Sequence, residues 1–193
     1  MFSDKKLAQF INNNFEACWQ TLRAVPILTV DFGDGRHLKR TLHGNIASYI
    51  CLPDGQVVDV LPGIYGPRSY EKSLATLLSV SSYVTKATDR ASALVSYHQG
   101  KTAFPLHEVA PTAEPEILAL GDIRFAQSIR RDITDNECTR RPIIHKMLGQ
   151  RREAHPKEIT NDVYKRTLNL DLADPYLGLG EAMTCTFPGE SAK

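Results

Sequence analysis

Apolar and polar positions in the middle of the chain follow the pattern of a β-hairpin and a helix. Residues 44–63 read Gly-Asn-Ile-Ala-Ser-Tyr-Ile-Cys-Leu-Pro-Asp-Gly-Gln-Val-Val-Asp-Val-Leu-Pro-Gly, so that apolar and β-branched residues flank an Asp-Gly pair. An Asp-Gly pair supplies the positive φ angles of a tight two-residue turn, which predicts a hairpin. After Pro67, apolar residues recur at helical spacing. They predict a helix packed on the hairpin, running towards Tyr97 with a break near residues 79–82.

The residues before this hairpin predict a short helix, a strand and a second hairpin. Residues 4–14 place Leu7, Phe10 and Ile11 on one helical face. Residues 15–22 alternate apolar and polar side chains, which favours a half-buried strand. Residues 25–32 predict a further strand, and a Gly-Asp-Gly turn leads it back into a strand over residues 36–42.

The second half of the chain is predicted to be helical. Asp135 or Asn136 can cap one helix and Thr160 a last one. Residues 174–180 form a turn-rich strip that is expected to fold back on the core. We therefore expect an α/β (α+β) unit over residues 1–100, a Pro-rich connector over 101–115 and a helical extension with a turn-rich tail over 116–193.

Length and composition describe a globular protein. A chain of 193 residues can form one domain of ordinary size, or a domain with an added lobe. No run approaches the roughly 18 apolar residues of a membrane-spanning helix, and the first residues carry no apolar segment typical of a secretory signal. We therefore expect a cytoplasmic protein without a membrane partner.

Charge is balanced overall and concentrated locally. The formal net charge of +1 argues against electrostatic binding by the whole molecule. Residues 124–157, however, contain nine basic and four acidic residues, and guanidinium groups suit bidentate contacts with anions. Phe125 is the one Phe, Tyr or Trp in this region, which therefore has no series of aromatic residues for base stacking, so nucleic acid is a possible but not a favoured partner. The predicted anion- or partner-binding residues are Arg130, Arg131, Arg140, Arg141, Arg151, Arg152 and the aromatic Tyr176 of the turn-rich strip.

The first 80 residues resemble the thioredoxin-like superfamily. Its domains carry a helix that ends in an Asn-Phe-like step, here residues 11–15, and a strand, an Asp-Gly turn, a strand and a helix, here residues 46–78. The resemblance implies a thioredoxin-like sheet-and-helix unit. Redox-active members carry a Cys-x-x-Cys motif after a first strand, and the chain contains neither. They also place a cis-proline where Asn45 and Ile46 stand here. The resemblance therefore implies a scaffold without dithiol exchange.

Four cysteines, at positions 18, 51, 138 and 185, are far apart in the sequence. In a reducing compartment they are expected to be free thiols. Cys18 or Cys51 could be a reactive thiol if a cation such as Arg23 lowered its pKa, or both could be small apolar fillers. The spacing of Cys138, His145 and His155 lacks the close ligand pairs of structural zinc sites. We predict no metal site and, without a nucleotide-binding or hydrolase motif, no cofactor.

Three functions follow as hypotheses. The first is a non-dithiol thioredoxin-like binding or adaptor module for a protein or anionic partner, which includes a second copy of the chain. The alternative is a thiol-dependent oxidoreductase that uses the single cysteine Cys18 or Cys51. A weaker alternative is a nucleic-acid-associated protein that acts through the basic helical region.

Overall fold

The structure is a computed structural model, and it describes residues 4–24, 27–41, 46–103 and 131–178. These residues form an α+β fold. The strands are β1 (Ile27–Asp31), β2 (His37–Thr41), β3 (Ala47–Cys51) and β4 (Val57–Pro62). The helices are α1 (Lys5–Asn14), α2 (Pro67–Lys86), α3 (Arg90–Ala103), α4 (Arg141–Leu148) and α5 (Pro156–Thr167). A π-helical segment, Asn136–Arg140, leads directly into α4.

Two antiparallel hairpins, β1–β2 and β3–β4, confirm the two predicted from the sequence. The turn between β3 and β4 takes three residues, however, where the sequence predicted two. The Gly55 N–H donates to the Leu52 carbonyl at 2.9 Å, and Gly55 has a φ of +85°. Pro53 has a fixed negative φ that suits the first central position of a type I turn. Within this turn, only Gly55 therefore needs a positive φ.

Strand β4 lies in the centre of the fold, and all six of its residues are buried. One apolar cluster joins Val57 and Val60 to residues of α4 and α5, such as Ile144 and Ile159. The other cluster joins Val58 and Leu61 to residues of α1, α2 and α3. The described part of the predicted helical extension therefore packs on the same strand as α2.

Several predicted elements differ in the structure. Residues 15–22 form no strand, because this segment is largely exposed and pairs with no described strand. The helix after Pro67 passes through residues 79–82 and ends at Lys86, and α3 then begins with Asp89 accepting from the Ser92 N–H at 2.9 Å. Serines in a helix can donate to the carbonyl four residues before them, as Ser81 does to Leu77 at 2.8 Å, and so need not end it.

The predicted helix caps also need correction. Asn136 is buried inside a continuous helical stretch, where its side chain donates to the Ile64 carbonyl at 2.8 Å. Helix α5 begins at Pro156, with His155 and Glu158 forming its capping box, and Thr160 lies within it. Leu177 is buried, which confirms that the described part of the turn-rich strip folds back on the core. The predictions for residues 104–130 and 179–193, which include Arg130 and Cys185, lie outside the described residues.

Candidate functional site

A group of polar side chains is buried where β4, α3 and α4 meet. Asp59, in the middle of β4, has no solvent exposure, and Arg141, His98 and His145 are also buried. Burial of ionisable groups is costly unless they are paired and hydrogen-bonded. We call Asp59, Tyr97, His98, Arg141 and His145 the polar core cluster.

The carboxylate of Asp59 is the acceptor at the centre of the polar core cluster. Arg141 Nη2 donates to its Oδ2 at 2.6 Å, and the Tyr97 hydroxyl donates to the same oxygen at 3.2 Å. The Val60 N–H donates to Oδ1 at 2.8 Å. Burial raises the pKa of Asp59, but the positive charge of Arg141, with smaller contributions from the neighbouring His145 and His98, brings the pKa below its ordinary value. Asp59 is therefore an anion at pH 7.

The two histidines contact each other directly. His98 Nδ1 and His145 Nδ1 lie 2.9 Å apart, and His145 Nδ1 lies 4.0 Å from Asp59 Oδ1. Burial is the main cause that lowers the pKa of both rings, to about 4 for His145. Both rings are therefore neutral at pH 7. Because each neutral ring carries one N–H, one of the two Nδ1 atoms donates and the other accepts in the contact between the rings.

A second acidic residue extends the cluster towards α2. The Tyr65 hydroxyl donates to Glu137 Oε1 at 2.9 Å, and Arg141 Nη1 lies 3.7 Å from the same oxygen. Arg141 thus lies between two carboxylates, and the ionised groups Asp59, Glu137 and Arg141 together carry one net negative charge. Burial and the charge of Glu137 raise the pKa of Tyr65 above its ordinary value, so its hydroxyl stays protonated.

The π-helical segment places Arg141 and has a local cause in the sequence. Its last hydrogen bond runs from the Arg141 N–H to the Asn136 carbonyl. Pro142 follows at the start of α4 and has no N–H to donate. An ordinary helical hydrogen bond at that position is therefore impossible, and a wider turn accommodates the proline.

Sequence reasoning missed Asp59, Tyr97 and His98. One signal was available, because Asp59 is the single charged residue in the apolar run from Val57 to Leu61. A charge in such a run predicts a buried partner. Which residues supply the partner depends on how α3 and α4 pack, and no local pattern contains that information.

The prediction that Arg141 contacts a partner needs correction, because its side chain is buried against Asp59 and is not available to a partner. Arg151 pairs with Asp162 at 2.7 Å and Arg152 with Asp89 at 3.0 Å. The guanidinium of Arg140 donates to Asn136, and Arg131 is exposed. Since the described arginines at 140, 141, 151 and 152 each bond within the chain, the structure does not gather them into an unpaired cationic surface.

The predicted thiols occupy different environments. Cys18 and Cys138 are exposed, and Cys51 is half-buried in β3. Burial, followed by the nearby Cys18 and Asp54, raises the pKa of Cys51 to about 11. Cys51 is therefore a thiol at pH 7, which is opposite to the lowered pKa that a nucleophilic cysteine requires.

The rates at which the cysteines of the native protein are alkylated should distinguish Cys51 from the exposed cysteines. With a pKa of about 11, the Cys51 thiolate fraction at pH 8 is about 200-fold below that of a thiol with the ordinary pKa of about 8.5. Since a thiolate of higher pKa is also a stronger nucleophile, we expect Cys51 to react at least about tenfold more slowly than the exposed Cys138, which is the internal comparison, and its rate to rise up to pH 10. Mass spectrometry of each cysteine-containing peptide measures the rates. Equal rates at pH 8, or a Cys51 inflection below pH 8, would contradict this expectation.

A second feature lies on the surface, on the described residues between 19 and 38, which we call the apolar arm. Trp19 is 87% exposed, Ile27 65% and Phe32 60%. Most of hairpin β1–β2 belongs to this arm, and each hairpin residue with a described side chain is exposed. The further exposed apolar residues of the arm are Leu22, Val30 and Leu38.

One arginine ties the apolar arm to the turn-rich strip. The guanidinium of Arg23 donates to the carbonyls of Leu172, Asp174 and Pro175. Tyr176 follows Pro175 directly, and its side chain is 72% exposed. The structure thus brings Tyr176, which the sequence predicted as a partner contact, to the base of the arm.

Comparison of the chain with known protein families, with curated proteins and with solved structures finds no match. Among the described residues, no helix combines the length and the apolar character needed to cross a membrane. The functional argument therefore rests on the polar core cluster and on the apolar arm.

Proposed function

We propose that the chain is a binding module, built on a thioredoxin-like scaffold without a redox dithiol, and that its apolar arm docks on another protein. The exposure of Trp19, Ile27 and Phe32 is the observation that carries this proposal. A short segment that exposes this many large apolar side chains favours an interaction site, because exposed apolar patches commonly mark one.

The form of the arm favours a protein as the occupant. A two-stranded hairpin with both faces in water is marginally stable by itself, and β1 and β2 each pair only with the other among the described strands. Their outer edges therefore carry backbone donors and acceptors that a partner strand can use. A partner that covers the arm would bury large apolar side chains and add backbone hydrogen bonds at the same time.

The contacts of Arg23 favour a prearranged docking surface. Because the carbonyls of Leu172, Asp174 and Pro175 accept from the guanidinium of Arg23, the base of the arm is held against the body of the protein. Holding a binding segment in place reduces the entropy that is lost on association. Tyr176, at this base, adds an exposed aromatic ring of the type that is enriched at interfaces.

The order of elements in the body supports a thioredoxin-like scaffold. Helix α1 ends at the asparagine run, and hairpin β3–β4 is followed by α2. Both α1 and α2 contribute to the same apolar cluster as β4. A scaffold of this kind without paired thiols supplies a rigid support, and the function then depends on the surface that it carries.

The other two hypotheses receive less support. An oxidoreductase that uses Cys51 would need an accessible thiolate, and burial raises the pKa of this group to about 11. A nucleic-acid site over the basic helices would need free cations, and Arg151 and Arg152 form ion pairs with Asp162 and Asp89.

A pair of matched variants tests the docking role of the arm. Phe32→Asp places a charge on the arm, and Tyr83→Asp places the same charge at an equally exposed aromatic site, 68% exposed, on α2. Burial of a central aromatic residue in an interface contributes about 2 kcal/mol or more. We therefore expect Phe32→Asp to weaken partner binding by about 30-fold and Tyr83→Asp to leave it unchanged.

The measurement has two steps. Tagged wild-type chain is used to capture proteins from a native lysate, and each captured protein is purified and titrated against the variants. Trp19 is the only tryptophan, so its emission should move to shorter wavelengths when a partner covers the arm. Sedimentation equilibrium of the chain alone identifies a second copy as the partner. A monomer that captures no protein, or equal losses in Phe32→Asp and Tyr83→Asp, would overturn the proposal.

A further inference from the structure

We propose that Asp59, His98 and His145 form a binding site for one divalent transition-metal ion with the ligand preferences of zinc. The site is independent of the apolar arm, and it differs from the expectation from the sequence that the chain has no metal site. His145 was considered there together with Cys138 and His155, whereas the structure brings it together with Asp59 and His98.

The three side chains present donor atoms at short mutual distances. One ligand atom from each of Asp59, His98 and His145 lies within 4.8 Å of the other two. The two Nδ1 atoms are 2.9 Å apart, and His145 Nδ1 is 4.0 Å from Asp59 Oδ1. Zinc holds nitrogen and oxygen ligands at about 2.0–2.2 Å, so ligands around one ion lie roughly 3–4 Å from each other. Small rotations of these side chains would bring all three to bonding distance.

The donor set suits a borderline metal. Two neutral imidazoles and one carboxylate prefer zinc or a similar first-row ion over the hard cations magnesium and calcium. The three donors come from β4, α3 and α4, which are rigid elements of the core. A fourth ligand position is left for a water molecule.

Neighbouring groups already orient these ligands. The contact between His98 and His145 keeps their two Nδ1 atoms facing each other. Arg141 and Tyr97 both bind Oδ2 of Asp59, so that Oδ1 faces His145. Hydrogen bonds from neighbouring groups, such as those of Arg141 and Tyr97 to Asp59, fix the orientation of ligands at metal sites.

Charge and proton balance are also consistent with an ion. Asp59, Glu137 and Arg141 carry one net negative charge, which would offset part of the charge of a divalent cation. Metal binding would replace the hydrogen bond between His98 and His145. The Nδ1 proton of that hydrogen bond would move to the Nε2 of the same ring, so both rings would stay neutral.

Equilibrium dialysis of the full chain against zinc, after treatment with EDTA, tests the site. His98→Gln and His145→Gln each remove one ligand, and His37→Gln removes an exposed histidine of β2 as the control. We expect close to one zinc ion per chain for the wild type and for His37→Gln. His98→Gln and His145→Gln should bind at least tenfold more weakly. Equal zinc binding by the wild type and these two variants would overturn the proposal.

A measurement on the wild type alone covers the case in which the two ligand variants do not fold. Cobalt(II) should give the visible absorption bands of a four-coordinate site, and excess zinc should remove them. Zinc should also raise the unfolding temperature relative to protein in EDTA. Cobalt without such bands, together with an unfolding temperature that zinc leaves unchanged, would show that the histidine pair is only a hydrogen-bonded contact.

Discussion

Asp59→Asn is expected to lower the free energy of unfolding by about 3–5 kcal/mol, because it leaves the buried Arg141 guanidinium without its nearest anion. The substitution keeps the size of the side chain, so packing around β4 is nearly unchanged. It removes the charge that Arg141 Nη2 contacts at 2.6 Å. Glu137 lies 3.7 Å from the other end of the guanidinium, and this longer contact cannot replace the lost one.

A second ion pair provides the control. Arg151 and Asp162 are 2.7 Å apart, nearly the same distance as Arg141 and Asp59, but both of these side chains are 35% exposed. Solvent screens such a pair, so Asp162→Asn should cost about 0–1 kcal/mol. Urea unfolding of both variants in EDTA measures the stability of the metal-free protein. Equal losses, or a loss below about 1 kcal/mol for Asp59→Asn, would show that burial does not control the strength of this pair.

The elements that the sequence predicted correctly are those with a complete local signal. Both hairpins contain glycines at positions that need a positive φ, including Gly33 and Gly55. Helix α1 has its cap in Asp4, which accepts from the Leu7 N–H at 2.8 Å. Each of these signals lies within a few residues of the element that it specifies, so no knowledge of tertiary packing is needed.

The predictions that were wrong depend on contacts between distant segments. Residues 15–22 alternate as a half-buried strand would, but alternation supplies neither a partner strand nor a core to pack on. Asn136 has a side chain that suits a helix cap, but it instead donates a hydrogen bond to the carbonyl of Ile64, 72 residues away. The polar core cluster is the extreme case, because its members come from β4, α3 and α4. Their chemistry depends on contacts that only the folded chain creates.

Gly63→Ala is the second substitution with a large expected effect, at about 2–5 kcal/mol. Gly63 has a φ of +76°, which costs a residue with a Cβ about 1–2 kcal/mol. A Cβ at this position would also lie 2.6 Å from Asn136 Oδ1 and 2.8 Å from Arg140 Nη1. Arg140 can move its flexible end. Asn136 cannot move freely, because it is fully buried and bonded to Ile64, and breaking that bond costs about 1–3 kcal/mol more.

Gly55→Ala separates these two contributions, because Gly55 lies in the same hairpin and has a φ of +85°. Its nearest neighbour to an added Cβ is His155 Nδ1 at 3.4 Å, an ordinary contact. We expect Gly55→Ala to show the conformational cost alone, so that the difference between the two variants in urea unfolding measures the clash at Asn136. Asn136 is the residue before Glu137, so the clash should also disturb the contacts of Arg141. Equal losses of stability in Gly63→Ala and Gly55→Ala would mean that the helix adjusts around residue 136 without cost. The close packing of β4 against the π-helical segment would then not be what holds the polar core cluster in place.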